Sequence, residues 1–377
     1  MTVQLRLRDA SRRCPKRMVY GPCGGVGADG GCEVPGIRCS FAADPDLLHT
    51  LDVSAADVAA PESAEPSGDA LPLSPRRTAA AAFATRVSEG LLVTADLPVR
   101  SADAGVLAEA GARLAGLTAV IAGEPPGLRA SLSPTHKALV LGGAGATVIA
   151  GITCRDRNRV AIEGELAALA DLGVAGVLAV TGDHPASTAL PHEAPVFDLD
   201  STRVAALARR AGLFVAVAEQ PAAPPIDYRP VRLALKARAG AELAILNLCG
   251  DLSDLVRFAG ALAATGAAIP LVASVPVITS RSAALRLAAL PGVRLPSGLV
   301  TAVTAAAAVD GFGVHAAVAA AREALTVPGV VGVHLSAVVD EADPTGLAAV
   351  DAIVRTATLL RAGRAPSSDA TATGAAA

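Results

Sequence analysis

Beyond Gly90, the chain alternates between two kinds of segment. Short apolar runs rich in β-branched residues predict strands. The Ala-, Leu- and Arg-rich segments between them predict helices, because their hydrophobic positions recur every three and four residues. Strands that are separated by single helices and buried on both faces form a parallel sheet. The predicted strands are Leu91–Leu97, Leu117–Ala122, Thr147–Thr153, Gly176–Val180, Leu213–Ala218, Leu243–Leu248, Pro270–Val275 and Val330–Leu335.

Eight such units close most simply into a (β/α)8 barrel, so we predict an α/β fold of the TIM-barrel type. A doubly wound open sheet is the runner-up. That fold usually carries a glycine-rich nucleotide fingerprint directly after its first strand, and none follows Leu97. The cluster Gly142-Gly-Ala-Gly145 precedes a predicted strand instead, which is typical of a turn at the C-terminal end of a helix.

The first 41 residues predict a small Cys-rich module in front of the barrel. It is too short and too rich in glycine to build a core of its own, so something must hold it together. Four clustered thiols in a reducing compartment favour zinc or an iron–sulfur cluster, although the intervals of eight, eight and six residues differ from the paired CxxC of a zinc ribbon. Reduced thiols under a small lid and disulfides are the alternatives. The four candidate ligands are Cys14, Cys23, Cys32 and Cys39.

The remaining boundaries follow from composition. Residues 42–89 are rich in Ala, Pro, Ser and Asp without a sustained period, which is typical of a loose or partly helical linker. The barrel is predicted over residues 90–363. Residues 364–377 are mostly Ala, Ser and Thr and are predicted to be disordered.

Composition excludes several classes of function. With 52% hydrophobic and 18% charged residues in 377, the chain is globular, and a net charge of −3 with 2% aromatic residues argues against nucleic-acid binding. No apolar run reaches the roughly 18 residues of a membrane helix, and no signal peptide is seen, so we expect a cytoplasmic protein with no membrane partner. Only three basic residues are lysines, Lys16, Lys137 and Lys236, which suggests positions that require a compact ammonium group.

Two polar motifs follow predicted strands. Ile152-Thr-Cys-Arg-Asp-Arg-Asn158 and Val180-Thr-Gly-Asp-His-Pro185 each place polar residues at the C-terminal end of a strand, where the active sites of barrels lie. Thr153 and Asn158 can form hydrogen bonds at this rim, and Arg155 and Arg157 can neutralise a pyrophosphate. Surface or capping roles are the competing interpretation for these residues.

Together with Phe197-Asp-Leu-Asp-Ser201 and Leu235-Lys-Ala-Arg-Ala-Gly-Ala241, these motifs resemble the methylenetetrahydrofolate reductase family in order and spacing. The Cys-rich module resembles that family's C-terminal or partner-subunit region. The resemblance covers roughly residues 12–40 and 90–362. It implies that the barrel holds FAD, and that hydride passes from NAD(P)H through the flavin to 5,10-methylenetetrahydrofolate, giving 5-methyltetrahydrofolate.

The resemblance also implies roles for single residues. Asp96 stands where the family has a glutamate that donates a proton when the methylene bridge opens, and such an acid needs a raised pKa. Asp183 matches an aspartate near flavin and folate, and Asn247 stands where a glutamine contacts the folate. Capping of a loop by Asp96, and a solvated helix position for Lys236, are the bland alternatives. The implied cofactor-binding residues are Thr153, Arg155, Asn158, Thr181, Gly182, Asp183 and Lys236.

The chain departs from the family pattern at the expected flavin site. Gly151 replaces a flavin-contacting histidine found in many members, and Ala218-Glu-Gln-Pro221 lacks their Tyr-Pro text. Three hypotheses therefore remain: an FAD-dependent reductase, a reductase that transfers hydride directly from nicotinamide to folate, and a non-catalytic folate-binding or electron-transfer subunit. A homo-oligomer or a redox partner subunit is compatible with each of them.

Overall fold

The computed structural model describes residues 3–51, 74–100, 102–124, 131–188, 193–289, 293–339 and 343–362. Eight parallel strands pair in sequence order, and β8 pairs back with β1 to close a barrel. This closure confirms the TIM-barrel prediction and overturns the open-sheet alternative. The strands are β1 Leu92–Asp96, β2 Ala119–Ala122, β3 Val148–Thr153, β4 Gly176–Val180, β5 Phe214–Glu219, β6 Leu243–Leu246, β7 Leu271–Pro276 and β8 Val330–Ser336.

Helices surround the barrel, and three of them lie between β7 and β8. The predicted turn at the glycine cluster is confirmed, because α5 ends at Gly143 and Gly145 adopts a φ of +94°. The helices are α1 Val3–Arg13, α2 Pro45–Leu48, α3 Thr78–Glu89, α4 Ala104–Leu114, α5 Pro134–Gly143, α6 Arg159–Leu172, α7 Ser201–Arg210, α8 Tyr228–Arg238, α9 Leu252–Ala264, α10 Arg281–Ala288, α11 Leu299–Ala305, α12 Val309–Ala324 and α13 Leu347–Ala362.

Helix α3 packs against the N-terminal ends of β4 and β5. Its buried side chains Ala80, Phe83 and Val87 join the apolar cluster of the barrel interior, and the Phe83 ring meets Phe214 edge to face at 5.0 Å. Burial of a phenylalanine of this kind stabilises the fold by about 2 to 3 kcal/mol. We therefore propose that the barrel domain begins at Thr78, within the segment predicted as a linker.

The N-terminal module, here residues 3–51, shares its core with the barrel. Met18 and Phe41 are fully buried in the cluster that also holds the strand–helix interfaces of the barrel. Inside the module, antiparallel bridges join Val26 to Cys32 and Gly31 to Arg38. The predicted tail, residues 364–377, lies outside the described residues. None of the described helices combines the length and the apolar character that crossing a membrane requires.

Candidate active site

A cavity of about 300 Å³ lies between the N-terminal module and the C-terminal ends of strands β3 to β6. The module contributes Lys16, Cys23, Gly24, Gly25 and Glu33 to its wall. Seven predicted site residues line the same cavity, so the structure brings together most of the constellation that the sequence suggested. They are Thr153, Arg155, Thr181, Gly182, Asp183, Lys236 and Asn247.

The exposed carboxylate of Asp183 is uncommitted. It follows β4 in the turn that Gly182 makes with a φ of +85°, and it has no hydrogen-bond partner among the described residues. Asn247 is also exposed, and its amide oxygen accepts a hydrogen bond from Leu248 N at 2.9 Å, which leaves its NH2 group for a ligand. A carboxylate and an amide therefore face a common cavity.

Most of the cations around the cavity are already paired within the protein. Lys236 is 2% exposed and donates to Ala218 O and, at 2.9 Å, to Glu219 Oε2. Arg232 donates to the same carboxylate oxygen at 2.8 Å, and Arg229 Nη1 lies 3.7 Å from its other oxygen. Burial alone would raise the pKa of Glu219, but the charges of Arg232, Lys236 and Arg229 lower it to about 2. The pKa of Lys236 falls to about 8, because burial and the Arg232 charge outweigh the attraction of Glu219.

Arg155 and Arg157 are likewise engaged. Arg157 binds Glu124 through two hydrogen bonds of 2.7 Å, and Thr153 Oγ1 donates to the same carboxylate at 2.7 Å. Arg155 pairs with its neighbour Asp156 at 2.8 Å. Asn158 does not line the cavity, because its side chain caps α6 by accepting a hydrogen bond from Ala161 N.

The module is fixed to the rim by polar contacts. Lys16 donates to Gly182 O at 2.7 Å and pairs with Glu33 at 2.6 Å, and both side chains are at most 4% exposed. Arg229, fully buried in α8, donates to Pro22 O at 3.0 Å. Gly21 lies so close to Tyr228 that a Cβ there would sit 2.5 Å from its ring, so this contact requires glycine. The module is a wall of the cavity.

Asp96 lies outside this cavity, at the end of β1. It contacts β8, where His334 Nε2 lies 3.0 Å from one carboxylate oxygen and Ser336 Oγ donates to the other at 2.6 Å. The β1–β8 register places Thr94 opposite His334, and Thr94 Oγ1 lies 3.0 Å from the ring's Nδ1. Burial would raise the pKa of Asp96, but the charge of His334 and these hydrogen bonds together lower it. The expected raised pKa is therefore not found.

All four N-terminal cysteines are half-buried free thiols, and Cys23 also lines the cavity. Burial raises the pKa of Cys14 to about 11 and raises that of Cys39. Within residues 3–51 and the other described segments, no three His, Cys, Asp or Glu side chains meet closely enough to hold a metal ion. A metal or cluster on these cysteines stays a prediction.

Comparison with known families decides the assignment. The family model for methylenetetrahydrofolate reductase matches residues 122–347, and the model described as methylene-tetrahydrofolate reductase C terminal matches residues 10–56. The chain belongs to the methylenetetrahydrofolate reductase family. No curated protein matches it.

Solved structures similar to this methylenetetrahydrofolate reductase family member were also found. One, an uncharacterized protein from Clostridium thermocellum that binds two copies of 5-methyl-5,6,7,8-tetrahydrofolic acid, is 11% identical with a TM-score of 0.53, and the match covers 74% of this chain and 98% of that one. Another, 2,3-dimethylmalate lyase of the PEP mutase/isocitrate lyase superfamily, is 14% identical with a TM-score of 0.44, over 78% of this chain and 92% of that one. At 11% identity, the likeness to the Clostridium thermocellum protein shows the barrel fold alone.

Sequence reasoning missed several polar residues around the family's expected site. Glu33, Glu219 and Gln220 line the cavity, and Ser336 holds Asp96. The rarity of lysine in the sequence was the only signal that pointed to Lys16, which forms an ion pair with Glu33. No sequence pattern pairs residues that lie 151 positions apart, such as Glu33 and His184, whose backbone N–H donates to the Glu33 carboxylate.

Proposed function

We propose that the chain reduces 5,10-methylenetetrahydrofolate to 5-methyltetrahydrofolate with NAD(P)H as the hydride donor. The observation that carries the proposal is the uncommitted carboxylate of Asp183 beside the free NH2 group of Asn247, in the cavity at the C-terminal rim of a barrel of this family. The 2-amino-4-oxo edge of a pterin offers two adjacent N–H donors to a carboxylate and a carbonyl oxygen to an amide. Asp183 and Asn247 supply both partners.

The reaction moves one proton and one hydride. The bond from the methylene carbon to N10 breaks, its electron pair goes to N10, and N10 takes a proton. The hydride then adds to the methylene carbon and forms the methyl group. In this proposal the Asp96–His334 pair holds the proton. His334 is buried, whereas the Asp96 side chain is 40% exposed at the C-terminal end of β1, on the same rim of the barrel as the cavity, and passes the proton on.

The residues present do not fit the two phosphates of FAD. The charged side chains of the cavity wall are four cations, Lys16, Arg155, Arg232 and Lys236, and four anions, Glu33, Glu124, Asp183 and Glu219, so their formal charges cancel. The cations assigned to the cofactor are paired with Asp156, Glu124 and Glu219. A pyrophosphate prefers unpaired cations. NAD(P)H carries a pyrophosphate too, so in the direct transfer from nicotinamide to folate that we propose, only the nicotinamide enters the cavity and the phosphates stay outside it.

Isotope transfer tests both parts of the proposal. The wild-type protein is incubated without oxygen with methylenetetrahydrofolate and NAD(P)H carrying deuterium at C4, and the product is analysed by mass spectrometry. Direct transfer places the full label in the methyl group. A flavin carrier exchanges its hydrogen with solvent, so a diluted label together with a flavin absorption spectrum restores the FAD-dependent hypothesis.

The second candidate is a non-catalytic folate-binding subunit. The observation that favours it is that most charged side chains of the cavity wall are paired with one another or with neighbouring residues. Binding of 5-methyltetrahydrofolate without any turnover supports this alternative. Elemental analysis of protein purified without oxygen belongs to the same experiment. Zinc near one equivalent indicates a structural site on the four cysteines, whereas iron with acid-labile sulfide indicates an electron-transfer role.

A further inference from the structure

Gln220 carries an amide that the protein leaves without a partner. The residue is 5% exposed, lines the cavity, and neither its Oε1 nor its Nε2 atom has a hydrogen-bond partner among the described residues. Buried amides are nearly always hydrogen-bonded, because water is lost on burial and must be replaced. An orphaned amide in a cavity wall therefore indicates a position where a ligand completes the hydrogen bonds.

The position of Gln220 is fixed from both sides. It directly follows β5, where its backbone N–H donates to Glu219 Oε1 at 3.1 Å. From the module, Gly24 approaches so closely that a Cβ there would lie 3.1 Å from the Gln220 Cβ. The side chain is therefore held between strand and module.

A second uncommitted donor lies in the same wall. Arg232, 3% exposed, uses its Nη1 for Glu219, but its Nε has no partner in the described part of the chain. Because the formal charges of the wall cancel, these groups suit a neutral ligand rather than a phosphate. An amide binds best to an edge that presents a donor beside an acceptor.

We propose that Gln220 is a ligand-binding residue that recognises an edge with a donor beside an acceptor: either N8–H beside N1 of the reduced pterin, which Asp183 and Asn247 leave free, or the carboxamide of a nicotinamide. This inference rests on the proposed function, since both ligands of that reaction carry such an edge: the pterin of the folate and the carboxamide of the nicotinamide. The pterin is the source that we favour, because Asp183 and Asn247 line the same cavity.

The test compares Gln220→Leu and Gln220→Glu with Gln4→Leu, which changes the chain's other glutamine at an exposed position of α1. Calorimetric titration of each full-length variant with 5-methyltetrahydrofolate and, separately, with NADH gives the affinities, and thermal unfolding gives Tm. We expect Gln220→Leu to weaken folate binding at least tenfold without lowering Tm, since it removes an unsatisfied buried amide. Gln220→Glu, which loses the donor but keeps the shape, is expected to weaken binding similarly, and Gln4→Leu to change nothing.

The other outcomes are equally decisive. A loss confined to NADH supports Gln220 as a ligand residue and identifies the carboxamide as its partner. Unchanged affinity for both ligands in Gln220→Leu overturns the inference, as does a wild-type protein that binds neither. If folate binding depends on Gln220 but the wild-type protein transfers no hydride, only the reductase proposal is refuted. If the wild-type protein is an active reductase but Gln220→Leu binds both ligands with unchanged affinity, only the inference about Gln220 is refuted.

Discussion

At the scale of single residues, the two aspartates proposed for the reaction differ in their hydrogen bonds. Asp183 is exposed and has no hydrogen-bond partner in the described structure, whereas Asp96 is bound by His334 and Ser336. The first carboxylate can exchange water for a ligand at little cost. The second is held in place and loses its proton readily.

Asp183→Asn should therefore leave the fold intact and lower folate-dependent turnover at least tenfold, an energy of about 1.4 kcal/mol or more in the transition state. Turnover is measured with saturating NAD(P)H, and stability by urea unfolding. Asp171→Asn, an exposed aspartate on α6, is the matched control and should be silent. Wild-type kinetics in Asp183→Asn would make this carboxylate an ordinary turn residue.

Ser336→Ala should shift the pH dependence of turnover. The Ser336 hydroxyl stabilises the Asp96 carboxylate and helps to lower its pKa, so its removal raises that pKa. Because the proposal requires ionised Asp96 beside His334, the acid limb of the pH profile should move to higher pH.

The control is Ser336→Thr, which keeps the hydroxyl and should leave the acid limb of the pH profile at its wild-type position. An acid limb that does not move in Ser336→Ala would show that Asp96 is not the group observed, and the role of the Asp96–His334 pair in proton transfer would have to be abandoned.

The rarity of lysine proved informative at this scale. Each of the three lysines is buried and donates to the carbonyl of one residue near the C-terminal end of a strand: Lys16 to Gly182, Lys137 to Gly123 and Lys236 to Ala218. A compact ammonium on a flexible stem can reach a single carbonyl where a planar guanidinium is too wide. Composition pointed to these positions, but only the fold shows their acceptors.

At the scale of elements, the end of β5 and helix α8 form one electrostatic unit. Glu219 is fully buried beneath three cations of α8, Arg229, Arg232 and Lys236. Spacings of three, four and seven residues place these cations on one face of the helix. The sequence shows that face, but a carboxylate on the adjoining strand cannot be inferred from it.

The unit makes stability depend on pH. Glu219 has a folded-state pKa of about 2, against about 4.3 for an unfolded glutamate, so its contribution is complete above pH 4 to 5 and is lost as the pH falls toward 2. The full contribution is on the order of 3 kcal/mol. We expect the free energy of unfolding, measured with urea, to fall as the pH is lowered through this range. In Glu219→Gln, this part of the pH dependence should disappear.

At pH 7, Glu219→Gln should destabilise the protein by about 3 to 5 kcal/mol, because it leaves three buried cations without a counter-charge. Asp351→Asn is the comparison, since its pair with Arg113 is exposed and should contribute less than about 1 kcal/mol. Equal effects of the two substitutions would contradict the burial argument.

The strands were predictable because their signal is local. An apolar run that is buried on both faces can be recognised in the sequence without knowing its neighbours in the fold. All eight predicted runs are strands in the structure, and their ends differ from the prediction by two residues or fewer. The partly helical character of the linker segment was predictable, but the bounds of helix α3 were not, because its alanine-rich sequence has only three buried side chains. Its place against the barrel depends on Phe214, far along the chain.

At the scale of the whole molecule, we expect module and barrel to unfold as one cooperative unit, because they share a hydrophobic core. The Lys16–Glu33 pair is buried, and Lys16 also binds the barrel at Gly182. Lys16→Met should therefore destabilise the entire chain by about 3 to 5 kcal/mol, since it leaves the buried Glu33 carboxylate without its counter-charge. Urea unfolding monitored by far-UV circular dichroism measures this loss, and we expect a single transition.

The double variant Lys16→Met/Glu33→Gln completes the cycle. It removes both charges together, so it should recover most of the stability lost in Lys16→Met. Arg13→Met, in the same module but in an exposed pair with Asp9, should cost less than about 1 kcal/mol. If Lys16→Met instead produces an early transition that leaves the barrel's own unfolding unchanged, the module unfolds independently, and the cavity wall that it provides would open without loss of the barrel.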